Sequence, residues 1–297
     1  MFDLSFLLAP IFATFLIGIV LRKTSVLDDS AVNVLLKLVH HLTLPALLLS
    51  VLPYVVIGKE VLFLLLISCI LVLVTLAATT LTGKALFMPE KSLAVLVIGS
   101  TIMNLSFVMP FVQSFYGDDG LARLFVFNIP NELSLYSIAY VFACKNGGTA
   151  ENQTAKKLIK SPPLLALLAA LLLNVLALRP VPIVTAVLHS IGGLTMPLLL
   201  LGLGASFRIT KHNPLHLAAG IALRMLLGLL LGWWLASLFH LEGLNRAIVV
   251  LSASAPAGFN TLKFNSIEKL DREFAATLAA SCMIVAMLLI PVLLIIL

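Results

Sequence analysis

Two short segments, near residues 104 and 258, combine polar side chains with helix-breaking residues inside apolar surroundings. Proline removes a backbone donor and clashes with the preceding helical turn, so Pro256 with the nearby Gly258 should interrupt a helix. An interruption exposes backbone N–H groups and the positive end of a helix dipole, and both favour an anion. The sequence therefore predicts an anion-binding site made by Asn104, Ser106, Pro256, Gly258, Asn260 and Thr261.

Both segments lie inside long apolar runs that fill the chain. Of 297 residues, 61% are hydrophobic and 11% are charged, whereas soluble domains carry roughly 25% charged residues. A membrane helix needs about 20 mostly apolar residues. Ten runs meet this expectation, namely 4–21, 34–54, 61–82, 92–113, 121–143, 162–178, 183–206, 214–239, 245–265 and 273–296. The predicted fold class is an all-α integral membrane protein with ten transmembrane helices, and the candidate site lies in helices 4 and 9.

The basic residues predict the orientation of these helices. When alternate loops are assigned to opposite sides of the membrane, most Lys and Arg residues fall on one side. The positive-inside rule places that side in the cytoplasm, so both termini are expected outside, in the periplasm. The expected location is the inner (plasma) membrane. Because the basic residues are scattered over loops and do not share one face, no nucleic-acid partner is expected.

The two halves of the chain resemble each other. Residues 42–45 read Leu-Thr-Leu-Pro and residues 194–197 read Leu-Thr-Met-Pro, and helices 4 and 9 begin alike at nearly the same offset. Five helices in each half force the second half to enter the membrane from the opposite side. The sequence thus predicts inverted repeats at 1–145 and 161–297, joined by a cytoplasmic loop at 146–160.

Two simpler interpretations stay open at this point. The similarity between the halves can arise by chance between apolar helices. The breaks can be ordinary proline kinks, with Ser, Thr and Asn side chains bonding only to neighbouring turns.

Short motifs that together span nearly the whole chain point to a known family. They lie at residues 18–29, 42–45, 110 with 116–118, 197 with 201–206, 255–261, and 275–277 through 281 to 291. These motifs resemble the auxin efflux carrier family, whose bacterial members belong to the superfamily of bile-acid, arsenite and riboflavin-type transporters.

The resemblance implies that helices 4 and 9 are broken and cross each other. It also implies a scaffold of helices 1, 2, 6 and 7, often dimeric, and a mobile transport domain of helices 3–5 and 8–10. The family's crossover asparagine falls on Asn104, and its proline–glycine break falls on Pro256 and Gly258.

Two charged residues, Glu132 and Arg224, fall well inside predicted helices. Ionisable residues at that depth usually face the protein interior and are functional candidates by default. Glu132 could exchange a proton during transport. Alternatively, the two residues form a static ion pair that only holds the mobile domain together.

These features favour a secondary transporter, of the elevator type, that moves a small organic anion such as a mono- or dicarboxylate. One alternative is a sodium-coupled symporter of the bile-acid-carrier type, whose cation would need several carbonyl and carboxylate oxygens. A membrane-embedded enzyme is a weaker alternative, because no nucleophile–base pair or metal cluster is evident. No metal site or cofactor is predicted. The expected partners are the anion, the lipid bilayer and a second copy of the chain bound through the scaffold.

Overall fold

A computed structural model of the chain describes residues 4–56, 58, 60–139, 142, 161–210, 212–258 and 270–297. Within these ranges the secondary structure is helical, apart from an isolated antiparallel bridge between Met103 and Ala257. The α-helices are α1 (Leu4–Lys23), α2 (Asp29–Leu38), α3 (Leu44–Val51), α4 (Val61–Ala85), α5 (Glu90–Thr101), α6 (Leu105–Ser134), α7 (Pro162–Val175), α8 (Pro182–Gly193), α9 (Thr195–Ala205), α10 (Pro214–Ile221), α11 (Leu227–Leu238), α12 (Gly243–Ala253) and α13 (Arg272–Ile296). The π-helical segments Val39–Thr43, Leu135–Ala139 and Ala222–Leu226 continue α2, α6 and α10, and a 3₁₀ turn, Leu52–Tyr54, follows α3.

Six helical segments of the described chain are long and apolar enough to cross a membrane. They are Ser5–Lys23, Asp29–Tyr54, Val61–Ala85, Pro182–Ala205, Pro214–Leu238 and Arg272–Ile296. α7 and α12 are apolar but shorter. The all-helical fold agrees with the predicted class of multi-pass membrane protein. Ten crossings and their 5+5 arrangement stay predictions.

Polar residues and prolines in the connections determine where many of these helices begin. Asp28, Asn213 and Asp271 each accept a hydrogen bond from a backbone N–H in the first turn of the helix that follows. Such caps satisfy donors that have no partner within the helix. Prolines stand in the first turn of α7, α8 and α10, where the missing N–H costs nothing.

Both helices that carry the candidate site are interrupted. α5 ends at Thr101 and α6 begins at Leu105, while α12 ends at Ala253 and is followed by non-helical residues up to 258. The second break is where the proline and glycine predicted it. The first break lies upstream of Pro110, which is accommodated within α6. α6 itself bends at Gly117, where φ is 56° and ψ is −149°, a conformation that only glycine adopts readily.

The chain forms two compact units. The first comprises Met1–Ile57, Met109–Phe125 and Leu158–Phe207. In it α1 packs closely on α9, because a Cβ on Gly18 or Gly204 would overlap a backbone carbonyl of the facing helix. Small residues at such contacts let membrane helices approach each other. The hydroxyl groups of Tyr54 and Thr185, 2.6 Å apart, add a polar link between α8 and the turn after α3.

The second unit comprises Gly58–Val108, Val126–Lys157 and Arg208–Leu297. α5 from Ala94 to Thr101 and α12 from Ala247 to Ala253 are buried on all sides. A helix that is apolar all round is expected at the centre of a large core. α4, α10, α11 and α13 surround these two helices, and Ser92 of α5 donates a 2.7 Å hydrogen bond to Asp271 at the start of α13. The two interrupted helices therefore form the interior of this unit.

Candidate anion-binding site at the helix crossover

The two unwound segments of the second unit pair with each other through their backbones. Met103 and Ala257 form the antiparallel bridge, and the N–H of Asn104 donates to the carbonyl of Pro256 at 3.0 Å. The N–H of Gly258 donates to the carbonyl of Gly99 at 3.4 Å. Unpaired backbone groups at membrane depth are costly, and this pairing removes several of them. The crossover is therefore held by main-chain hydrogen bonds instead of side-chain packing alone.

A side chain from α6 extends this pairing on the far side of Met103. Oδ1 of Asn131 accepts from the N–H of Met103 at 2.9 Å, and its Nδ2 donates to the Met103 carbonyl at 3.1 Å. The amide thus substitutes for a neighbouring strand. Asn128 orients the amide by accepting from Nδ2 of Asn131 at 2.9 Å. Asn131 was not among the predicted site residues, although an asparagine inside an apolar helix is a signal of a buried polar contact.

Asn104, the predicted crossover asparagine, occupies the N-cap position of α6 and is buried, with 6% of its surface exposed. Its side chain makes no cap hydrogen bond to the helix that follows. An N-cap asparagine commonly bonds to the first turn, so the amide of Asn104 can instead serve a ligand. The positive end of the α6 dipole lies at the same place.

The remaining predicted site residues fall into three groups. Ser106 lies in the first turn of α6 and is partly buried. Pro256 and Gly258 are buried in the second unwound segment, where a Cβ on Gly258 would come within 3.0 Å of the Ile102 carbonyl oxygen. The glycine therefore permits the close approach of the two segments. Asn260 and Thr261 lie outside the described residues.

Arg224 is buried beside the crossover, with 1% of its surface exposed. It stands in the π-helical segment between α10 and α11. Its Nη1 donates to the carbonyl of Ser100 at 3.1 Å, and its Nη2 donates to the carbonyl of Ala253 at 2.5 Å. These carbonyls belong to the last turns of α5 and α12. One guanidinium thus caps the C-terminal ends of both interrupted helices.

Glu132 lies in α6, where its carboxylate is in contact with Asn128 of the same helix. Nδ2 of Asn128 donates to Oε1 of Glu132 at 3.4 Å, within the same helix. Because the described hydrogen bonds of Arg224 go to backbone carbonyls, the ion pair between Glu132 and Arg224 stays a prediction.

Buried polar atoms remain near the crossover without a protein partner. Among the described residues these include Nε of Arg224 and the hydroxyl groups of Thr101 and Ser252. Buried polar groups are usually satisfied by protein, water or ligand. No group of three His, Cys, Asp or Glu side chains that could hold a metal occurs in the described part of the chain. The crossover thus offers helix ends, amides and hydroxyls, which suit a small anion.

A separate cavity of about 520 Å³ lies within the first unit. Its lining includes Asp118, Asp119, Tyr54 and His189. Two carboxylates give this cavity a local charge that disfavours anions. It is therefore not the better candidate for the predicted site.

Known proteins are similar to the chain over most of its length. Residues 149–294 match the model of a family described as a membrane transport protein. A transporter of Methanothermobacter thermautotrophicus is 23% identical over 285 residues, which cover 92% of this chain and 90% of the relative. A second, from Methanocaldococcus jannaschii, is 21% identical over 272 residues and 88% of each chain. Both relatives are described as uncharacterized transporters.

The helical fold and these similarities define a membrane transport protein, not an enzyme. This similarity agrees with the resemblance to the auxin efflux carrier family that the sequence motifs indicated.

The double hydrogen bond of Asn131 generates a testable prediction. Asn131→Leu should destabilise the protein, because it leaves the N–H and carbonyl of Met103 without this partner in a buried position. Each lost partner costs about 1–3 kcal/mol. The measurement is the apparent melting temperature of the purified protein in detergent.

Ser134→Ala is the matched control, since the hydrogen bond described for Ser134 stays within its own helix and goes to the carbonyl of Pro130. We expect a clear drop for Asn131→Leu and little change for Ser134→Ala. Equal melting temperatures for the two variants would contradict the proposed support of Met103.

Proposed function

We propose that the protein is a secondary transporter that moves a small organic anion, such as a mono- or dicarboxylate, across the inner membrane. The observation that carries this proposal is the crossover. Two interrupted helices meet there, and α6 begins there. The side-chain amide of Asn104 makes no capping hydrogen bond to α6 and is available to a ligand. Sites of this kind, built from helix ends near the bilayer midplane, are common in secondary transporters.

The chemistry of the site favours a carboxylate over a cation. The N–H groups at the start of α6 and the amide of Asn104 are donors, and they lie at the positive end of a helix dipole. A carboxylate accepts several such hydrogen bonds at once. Because these donors carry only partial charges, they hold the anion less tightly than a lysine or arginine aimed at it would, and release stays fast. The proposal also assigns Asn260 and Thr261 to this site from the sequence, although both lie outside the described residues.

An elevator mechanism is the proposed way in which the anion crosses the membrane. The first compact unit contains α1–α3 and α7–α9, which supports a scaffold of predicted helices 1, 2, 6 and 7. The second unit contains α4, α5 and α10–α13 together with the whole crossover, which supports a transport domain that carries the site as one body. Residues 109–125 depart from the predicted scheme, because they group with the first unit.

The proposal includes three further assignments that follow from the sequence. Residues 1–145 and 161–297 are inverted repeats, and the closely packed helices of the scaffold offer a surface for a homodimer. Both termini are periplasmic.

Binding of the anion is tested first. Thermal-shift measurements with acetate, succinate, malonate and malate identify a carboxylate that stabilises the purified protein. Asn104→Ala should then weaken its binding by about tenfold or more, because a hydrogen bond to a charged group is worth about 1.5–3 kcal/mol. The dissociation constant is measured by titration calorimetry.

Asn245→Ala is the matched control for this measurement. Asn245 has a similar burial, 7% exposed, but bonds to Glu60 away from the crossover. Its substitution should leave the dissociation constant within about twofold. An unchanged affinity in folded Asn104→Ala would remove the crossover from consideration as the anion site.

Proton coupling through Glu132 is tested in liposomes with a pH gradient. If Glu132 carries the proton, Glu132→Gln should abolish the pH dependence of uptake while substrate binding stays measurable. Glu60→Gln is the control, because Glu60 accepts a hydrogen bond from Asn245 at the start of α4. A Glu132→Gln protein with the pH-driven uptake of the wild type would assign Glu132 a structural role only.

Orientation is tested by single cysteines in an otherwise cysteine-free protein. A cysteine at Arg179, in the turn before α8, should react with an impermeant thiol reagent added to intact cells. A cysteine at Lys84, in the last turn of α4, should react only after the membrane is opened. The reverse pattern would place both termini in the cytoplasm.

A further inference from the structure

The carbonyl oxygens at the ends of α5 and α12 are the groups that a coupling cation would need. In transporters with broken helices, sodium ions are coordinated by unwound carbonyls and by the C-terminal ends of half-helices. Here the carbonyls of Ser100 and Ala253 stand in that position, at the last turns of the two interrupted helices. Both already accept hydrogen bonds from Arg224.

The local backbone is shaped to bring Arg224 to these carbonyls. The side chain projects from a π-helical segment, a distortion that is frequent at functional sites. One turn later, Gly228 has no side chain, and a Cβ there would overlap the Ala253 carbonyl and come within 2.8 Å of Nη2 of Arg224. Ser100 is also fixed, because its Oγ donates to the carbonyl of Gly220 at 3.3 Å. The contact is thus enforced from both sides.

The charges also balance. Each helix C-terminus carries about half an elementary negative charge, and α5 and α12 together present roughly one. The single positive charge of a guanidinium matches this sum. Its planar fork donates one directed hydrogen bond to each of two acceptors at once. An ammonium group is a compact point charge and is less directional.

We propose that Arg224 is a built-in counter-cation, which occupies the place that a co-transported sodium ion takes in cation-coupled carriers. The transport domain then needs no metal cation at the crossover, either when it binds the anion or when it returns without substrate. Arg224 acts as a positioning residue, because it holds the ends of α5 and α12 and through them the unwound segments. This inference rests on the proposed transport function and predicts that transport does not depend on sodium.

The test compares wild type, Arg224→Ala and Arg246→Ala. Arg246→Ala is the control, because Arg246 lies in the same unit and its Cζ is 4.9 Å from the centre of the Trp233 ring. No described hydrogen bond joins its side chain to the crossover. Apparent melting temperatures are measured in sodium chloride, in choline chloride, and in choline chloride with methylguanidinium. Malonate is added as the carboxylate probe in a second series.

For the wild type, the melting temperature in sodium chloride should equal that in choline chloride, and the same should hold for Arg246→Ala. Arg224→Ala should melt lower in choline, and methylguanidinium should restore much of the loss by entering the vacated space. Its affinity for malonate should fall by about tenfold or more in choline and recover in parallel. A wild-type protein that binds malonate only with sodium would overturn the proposal. An Arg224→Ala protein that is stable and binds malonate in choline alone would also overturn it.

Arg224→Lys keeps the test decisive if Arg224→Ala does not fold. A lysine is a single point charge and can cap only one of the two carbonyls well. Sodium or methylguanidinium should then raise the melting temperature of Arg224→Lys but not that of the wild type, and no effect on either would overturn the proposal. If no carboxylate shifts the wild type, the proposed transport function fails, whereas the cation dependence of the Arg224 variants still decides the role of Arg224.

Discussion

The second unit depends on one constraint: backbone groups exposed by a broken helix must find partners inside a buried, largely apolar core. The chain meets this constraint by letting two broken helices satisfy each other. The segments around Met103 and Ala257 pair as a minimal antiparallel ribbon, and the amide of Asn131 supplies the next partner. Breaking either helix alone would leave several buried groups unpaired. The two interruptions are therefore energetically inseparable, and neither segment can be understood without the other.

Close packing around the ribbon follows from this arrangement. α5 and α12 must be surrounded by protein, so the neighbouring helices approach them through glycines. Gly220 faces Leu96 and Leu278, while Gly232 lies against Ala253. A Cβ at Gly232 would overlap the Ala253 Cβ, so a larger residue there would push α11 away from α12. Small residues in membrane helices thus serve the polar pairing as much as the apolar contacts.

The sequence predicted the helical class and the two breaks, because composition, run length and the Pro–Gly pair are local signals. It also placed Asn104 and Pro256 in the crossover, where the structure brings them into backbone contact. The first break lies upstream of Pro110. The end of α5 is determined by the pairing with residues 256–258 and not by the local helix propensity. The contacts of Asn131 and Arg224 were not predictable, because both reach partners that are distant in sequence. Such contacts exist only once the segments are packed together.

The capping of two helices by one arginine has an evolutionary consequence. If the halves arose by duplication of a five-helix ancestor, a symmetric pair of such ancestors would have presented two equivalent positions for this cation. By the spacing that relates residues 42–45 to residues 194–197, the position in the first half that corresponds to Arg224 is Val72, a buried apolar residue of α4. A single guanidinium already fills the need of both helix ends, and a second would be surplus charge in the core. On the proposed repeat, the arginine would be a feature that only a fused, asymmetric descendant can fix, and after its appearance the two halves could no longer be exchanged.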